Sequence, residues 1–269
     1  MSGNPVAMVR SLLRHRGLLA ALVRREVLGR YRGSVLGLAW SFLHPLAMLL
    51  VYTFVFSVVF QARWPGGGGS NVEFALVLFT GLMVYSLFAE CVGRAPGLVL
   101  ANTNYVTKVV FPLEILPVVT LLSACFHLAV AVLIWLAFHL VVSGMPPATA
   151  LLLPLALAPL ALLTLGVSWF LASLGVYLRD VSQVVGVLVT MLMFLTPIFY
   201  SVTAVPAQFR VVMLANPLTP IIEQARGLLL WGQGMDWAGW GVQMAASALV
   251  AWLGFLWFQR TRKGFADVL

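Results

Sequence analysis

LEILPVVTLLSACFHLAVAVLIWLAFHLVV, residues 113–142, carries one formal charge, Glu114, along its whole length. Wound as a helix rising 1.5 Å per residue, this run outreaches a hydrocarbon core of roughly 30 Å, so it predicts a tilted or projecting membrane span. Five other stretches read the same way: Val35–Phe60, Phe74–Val92, Ala148–Leu178, Val181–Tyr200 and Gly239–Phe258. Composition agrees, with 62% of 269 residues hydrophobic, 9% charged and a mean hydropathy of +1.01, where soluble domains carry about 25% charged residues. A water-soluble domain is excluded. The expectation is an all-α integral membrane protein with six transmembrane helices. Bends are expected at Pro45, at Pro154 and Pro159, and at Pro197, each of which removes a backbone donor and crowds the preceding turn.

Sixteen Lys and Arg against eight Asp and Glu give a net charge of +8. On a soluble face that excess would suggest nucleic acid; between apolar spans it encodes orientation. Only Arg63, Arg210 and Arg226 fall on one side of the six-span arrangement, and the other thirteen basic residues on the opposite side. Both termini are therefore expected in the cytoplasm. No cleavable leader is evident, and the first span is expected to serve as an uncleaved insertion signal. Residues 8–30 place Arg10, Arg14, Arg24 and Arg25 on one arc and Leu12, Leu19, Leu22, Val23 and Val27 opposite, which predicts an amphipathic helix lying in the interface. The chain thus divides into an interfacial segment, 1–34, and a membrane domain, 35–269.

Catalytic patterns are scarce. WPGGGGSN, residues 64–71, reads as a flexible outer loop and lacks the Lys-Ser/Thr of a phosphate-binding loop. His127 and His139 lack a nearby carboxylate in sequence, and Gly166-Val-Ser-Trp-Phe170 lacks the second glycine of a nucleophile elbow. His44 is expected to hydrogen-bond between helices, and Cys91 and Cys125 to remain free thiols. Span centres hold almost no ionisable groups, which argues against a proton- or sodium-driven carrier. Tyr52, Phe56 and Phe60 recur at helical spacing in the first span; such a stripe suits either the apolar C–H faces of sugar rings or plain packing against a neighbouring helix.

The 38 residues from Ser201 to Ala238 exceed a simple turn. Thr219 can cap and Pro220 open a helix to Trp231, with Ile221, Ile222, Ala225, Leu228 and Leu229 on one face and Glu223 and Arg226 on the other. A second short helix is expected between Pro206 and Leu214. On the opposite side of the membrane, Thr107–Pro117 brings Lys108, Phe111, Pro112, Glu114 and Pro117 together between two spans. Its prolines favour short bent helices, a compact lever at the membrane face with Phe111 as an apolar anchor for a partner.

The run Arg30-Tyr-Arg-Gly-Ser-Val-Leu-Gly-Leu-Ala-Trp40 with Ser-Phe-Leu-His-Pro45 resembles the opening of type-2 ABC exporter permeases that move lipid-linked polysaccharides. Thr107–Pro117, Leu178-Arg-Asp180, Pro197-Ile-Phe-Tyr200 and Asn216-Pro-Leu with Glu223 and Arg226 are similar to the same family in the same order. The resemblance implies a homodimer of six-helix subunits in the bacterial inner membrane, paired with two copies of a separate ABC ATPase. It implies that a coupling loop over about 93–117, with Lys108, Phe111, Pro112 and Glu114, docks on that ATPase, and the same ATPase coupling is expected of Arg179 and Asp180 in the second short connection on that side. It further implies re-entrant gate helices over about 201–238, including Pro220, Ile221, Glu223, Arg226 and Leu228, and channel-lining aromatics among Tyr52, Phe56, Phe60, Phe199 and Tyr200. The chain itself is expected to hold no cofactor, ATP and Mg binding to the partner, and to bind no nucleic acid. A type-2 exporter for a drug or other lipid and a membrane-embedded glycan transferase are the alternatives; a transferase would want an acidic or His-containing cluster at the membrane face.

Overall fold

The computed structural model describes residues 13–59, 64, 71–107 and 111–269. These residues form helices and turns, with no strand among them. Helix α1 (Arg16–Arg30) falls in the segment expected at the interface; Leu19, Leu22 and Val27 are its buried positions. The first span is α2 (Trp40–Tyr52), which contains Pro45 and continues as a wider π-helical stretch, Thr53–Val59. The widening begins at Thr53, whose hydroxyl donates to the Leu49 carbonyl at 2.6 Å. Then follow α3 (Asn71–Arg94), the short α4 (Thr103–Thr107) and α5 (Leu116–Ser143). The fourth span is broken as its prolines require, into a 3₁₀ turn at Ala148–Leu152, the single-turn α6 (Leu153–Ala156) and α7 (Ala158–Tyr177).

The fifth expected span is regular only over α8 (Val181–Leu195). At 1.5 Å per residue those 15 residues fall short of a core of roughly 30 Å. Helix α8 stops before Pro197, and the chain passes back through a turn at Val202–Ala204 into α9 (Ala207–Ala215) and α10 (Leu218–Leu230). The last span is α11 (Trp237–Thr261), followed by a turn at Arg262–Gly264 and the terminal α12 (Phe265–Val268). Among the described residues, five helical stretches are therefore long and apolar enough to cross a bilayer, with α8 as a shorter sixth.

Helix α3 is the hub: 83% of its apolar window is buried, against 11% for the first span. The outer faces of α2 with its π-helical continuation and of α8 carry exposed Val51, Phe54, Val58, Val187, Leu188 and Met191, a surface suited to lipid or to another membrane helix. Helices α7 and α11 make the tightest pair. A Cβ at Gly166 would lie 2.5 Å from the Val250 carbonyl oxygen, and one at Gly254 would strike the backbone of Gly166. In lipid, where apolar burial drives little helix association, such backbone contact gains dispersion energy along the crossing.

Candidate functional site

The element of α9 and α10 is pinned to the end of α8 from two positions. Asn216 Nδ2 donates to Thr196 Oγ1 at 2.8 Å, while its Oδ1 accepts from the Leu218 backbone at 3.0 Å and so caps α10. The cap expected of Thr219 is corrected: α10 starts at Leu218, and the buried Thr219 hydroxyl has no partner in the described structure. Pro220 lies within the first turn, where its missing N–H costs no helical bond. Further along, Arg226 is fully buried. Its Nη1 donates to the Pro197 carbonyl and to Glu223 Oε1, both at 2.7 Å; Nη2 donates to Ile198 at 2.8 Å and Nε to Val77 at 3.2 Å. Its guanidinium carbon stands 4.6 Å from the centre of the Trp64 ring. Glu223 is half-exposed, but Arg226 is not on an outward polar face: it turns inward because the backbone broken at Pro197 offers carbonyls that no helix satisfies. Ile221 and Leu228 are likewise buried within this subunit.

The aromatic residues meet beside this junction. Phe199 stacks on Phe56 at 5.6 Å and on Phe194 at 5.6 Å, and lies 6.1 Å from Tyr52; Phe56 also contacts Phe74, which contacts Trp64. Tyr52 and Phe56 are half-buried, facing α3 and the break after α8. Tyr200 donates to the Phe194 carbonyl at 2.7 Å. Phe60 lies outside the described residues.

A cavity of about 560 Å³ opens between α2, α3, α5 and α8, lined by Arg30, Trp40, His44, Tyr52, Tyr85 and His127 among others. Its volume is in the range of small-ligand sites. At its polar end Glu90 gathers two arginines and a histidine: an ion pair with Arg30, His127 Nδ1 at 2.9 Å and Arg94 at 3.7 Å, while Arg94 pairs in turn with Glu26 of α1. The carboxylate that His127 lacks in sequence is thus supplied across helices. His139 instead contacts the Gly144 carbonyl at 3.1 Å. Tyr31 packs edge-on to His127, and burial raises its phenol above the ordinary value, keeping it neutral.

At the other connection Phe111 stacks on Tyr105 with ring centres 4.3 Å apart, and Tyr105 accepts from Arg25 of α1 at 2.8 Å. Phe111 and Pro112 are half-buried. Glu114 does not face outward: it is buried, paired with Arg262 at 2.9 Å, and its carbonyl accepts from Trp169 at 2.9 Å. Arg179 and Asp180 are exposed in the turn between α7 and α8, and Lys108 lies outside the described residues.

The family model described as "ABC-2 type transporter" matches residues 17–230, most of the membrane domain and the interfacial helix. The chain belongs to the ABC-2 type transporter family. Among its relatives, the O-antigen export system permease protein RfbA of Myxococcus xanthus is 28% identical over 264 residues, 97% of this chain and 99% of that protein. An RfbA permease of Klebsiella pneumoniae is 26% identical over 254 residues, covering 94% and 95%. The polysialic acid transport protein KpsM of Escherichia coli is 26% identical over 215 residues, covering 79% and 81%. In this ABC-2 permease the features above fall into three groups: the braced element of α9 and α10, the aromatic panel beside it, and the ion-paired cluster around Glu90. Sequence reasoning found the outer motif and the aromatic stripe. It missed the Glu90 cluster, because residues from α1, α3 and α5 converge only through tertiary packing.

Proposed function

We propose that this chain is the channel-forming subunit of an ATP-driven exporter that carries a lipid-linked polysaccharide of the O-antigen or capsule class outward across a bacterial inner membrane. The observation that carries this reading is the near end-to-end similarity to RfbA permeases. The relatives are named for polysaccharide export and not for drugs or for glycan transfer. The panel of Tyr52, Phe56, Phe199 and Tyr200 supports it chemically, since sugar C–H faces stack well on aromatic rings. Two subunits pair through the exposed faces of α2 and α8, with both termini cytoplasmic. Two copies of a separate ABC ATPase bind and hydrolyse ATP with Mg, docking on the segment around Lys108, Phe111 and Pro112 and near Arg179 and Asp180. The outer element from Pro220 through Leu228, braced by Glu223 and Arg226, closes the exit between cycles. Deleting the coding region and analysing the surface glycan tests the reading: loss of a polysaccharide, with its lipid-linked precursor accumulating inside, is expected. An unchanged surface glycan, with export of another lipid abolished, overturns it.

A further inference from the structure

Helix α11 does not simply run out at the inner face. After Thr261 the chain folds under its own bundle, and Phe265 is fully buried, 6.0 Å from the Tyr177 ring and edge-to-face with Phe258 at 5.6 Å. Tyr177 donates to the Thr261 carbonyl at 2.8 Å, and the Ser173 and Thr261 hydroxyls lie 2.6 Å apart. This terminal turn also touches α4, the short helix that leads into the Phe111 segment. From it Arg262 reaches the buried Glu114 carboxylate, at 2.9 Å, while Trp169 of α7 holds the carbonyl of the same residue. The segment Leu113–Ile115 is therefore gripped from both members of the tightest helix pair in the molecule.

We propose that Arg262 and Phe265 are positioning residues for energy coupling: the terminal turn fixes the Phe111–Glu114 segment against the ATPase and passes its displacement to α7 and α11 as one body. This rests on the reading that the Phe111 segment meets the ATPase. An ion pair with one buried partner is a poor choice for stability alone, because well-packed apolar replacements of buried pairs are often equal or better. What it adds is a directional link: Glu114 is buried and the Arg262 side chain 24% exposed, so drawing the carboxylate away from the guanidinium costs a charge-assisted contact and the two move together. Phe265 keeps Arg262 in place by anchoring the turn against Tyr177 and Phe258, so a push on the segment moves helices instead of bending the tail.

The test uses the full chain assembled with its ATPase in lipid nanodiscs and proteoliposomes, reading melting temperature, co-purification, ATP hydrolysis and export per ATP. In the double variant Glu114→Leu/Arg262→Met, melting and assembly are expected to match the unaltered complex while export per ATP falls about tenfold. Arg262→Lys, which keeps the charge, is expected to retain most of the ratio, and Phe265→Leu to lower it with assembly intact. A double variant that exports at the normal ratio overturns the proposal. If that variant does not insert, the Arg262→Lys and Phe265→Leu pair decides by the same ratio, and an unchanged value in Phe265→Leu overturns it. Cross-linking from a cysteine at position 111 of the otherwise unaltered chain separates the two readings: no cross-link to the ATPase sinks the docking site itself, whereas a cross-link with normal coupling in the variants sinks only the role of the turn.

Discussion

The end of the Arg226 side chain fills the notch left by Gly81, so a Cβ at position 81 would lie 2.8 Å from Nη2. An arginine tip can ordinarily swing aside, but this one is fully buried and tied to three backbone carbonyls and to Glu223. Gly81→Ala is therefore expected to cost about 1 kcal/mol and Gly81→Val about 3 kcal/mol, typical of overpacking. Thermal unfolding of the purified protein measures both, and an unchanged melting temperature for Gly81→Val would mean that Arg226 is not held here.

Arg226→Lys should be poorly tolerated although it keeps the charge. A compact ammonium on a flexible stem cannot address the Pro197, Ile198 and Val77 carbonyls with a planar fork. The acceptors left unpaired set a loss of about 3 kcal/mol. Glu223→Gln keeps an amide oxygen for Nη1 but removes the half-exposed negative charge that offsets a fully buried guanidinium, and should cost less, about 1–2 kcal/mol. Equal losses for the two variants would place the stabilisation in the ion pair and not in the carbonyl contacts.

Glu90 is one point where α1 is fastened to the membrane core, through Arg30 directly and through Arg94 to Glu26. Glu90→Gln is expected to raise amide exchange across Arg16–Arg30 about five- to tenfold while α5 and α7 keep their protection, because the cations it gathers are partly solvated and soften the loss. Exchange that rises equally in α7 would show general unfolding and would defeat the interpretation.

Orientation is open to chemistry. A single cysteine at Gly68 is expected to react with an impermeant maleimide from the outer side of intact spheroplasts, since that assignment leaves thirteen of sixteen basic residues inside. Labelling confined to inverted vesicles reverses the topology.

Much of this architecture was legible in the sequence because lipid imposes a simple rule: long apolar runs must be helices that satisfy their own backbone. The prolines at 154, 159 and 197 mark where helices end or break, because proline offers no N–H to the preceding turn and its ring crowds that turn. The reading was weakest where polarity had to be paired. Arg226 has the pattern of an outward-facing residue on an amphipathic helix, yet it is buried, because its partners are carbonyls released by a helix break that lies far away in sequence. Glu114 looked available to a partner for the same reason: nothing near it in the chain announces Arg262. The aromatic stripe was found by its spacing, but its direction, toward Phe199 and Phe74, is set by the neighbours it packs against.

The backbone contact between Gly166 and Gly254 bears on how the protein is made. Residues 158–177 leave the ribosome long before residues 237–261, so α7 enters the membrane with the groove meant for α11 unfilled. During that interval the nascent chain presents an unfilled seam to insertion chaperones and to membrane proteases, and it closes only when the final span arrives. A chain interrupted before Trp237 would lack the helix that shields α7, which makes the last step of synthesis the checkpoint for survival of the whole subunit.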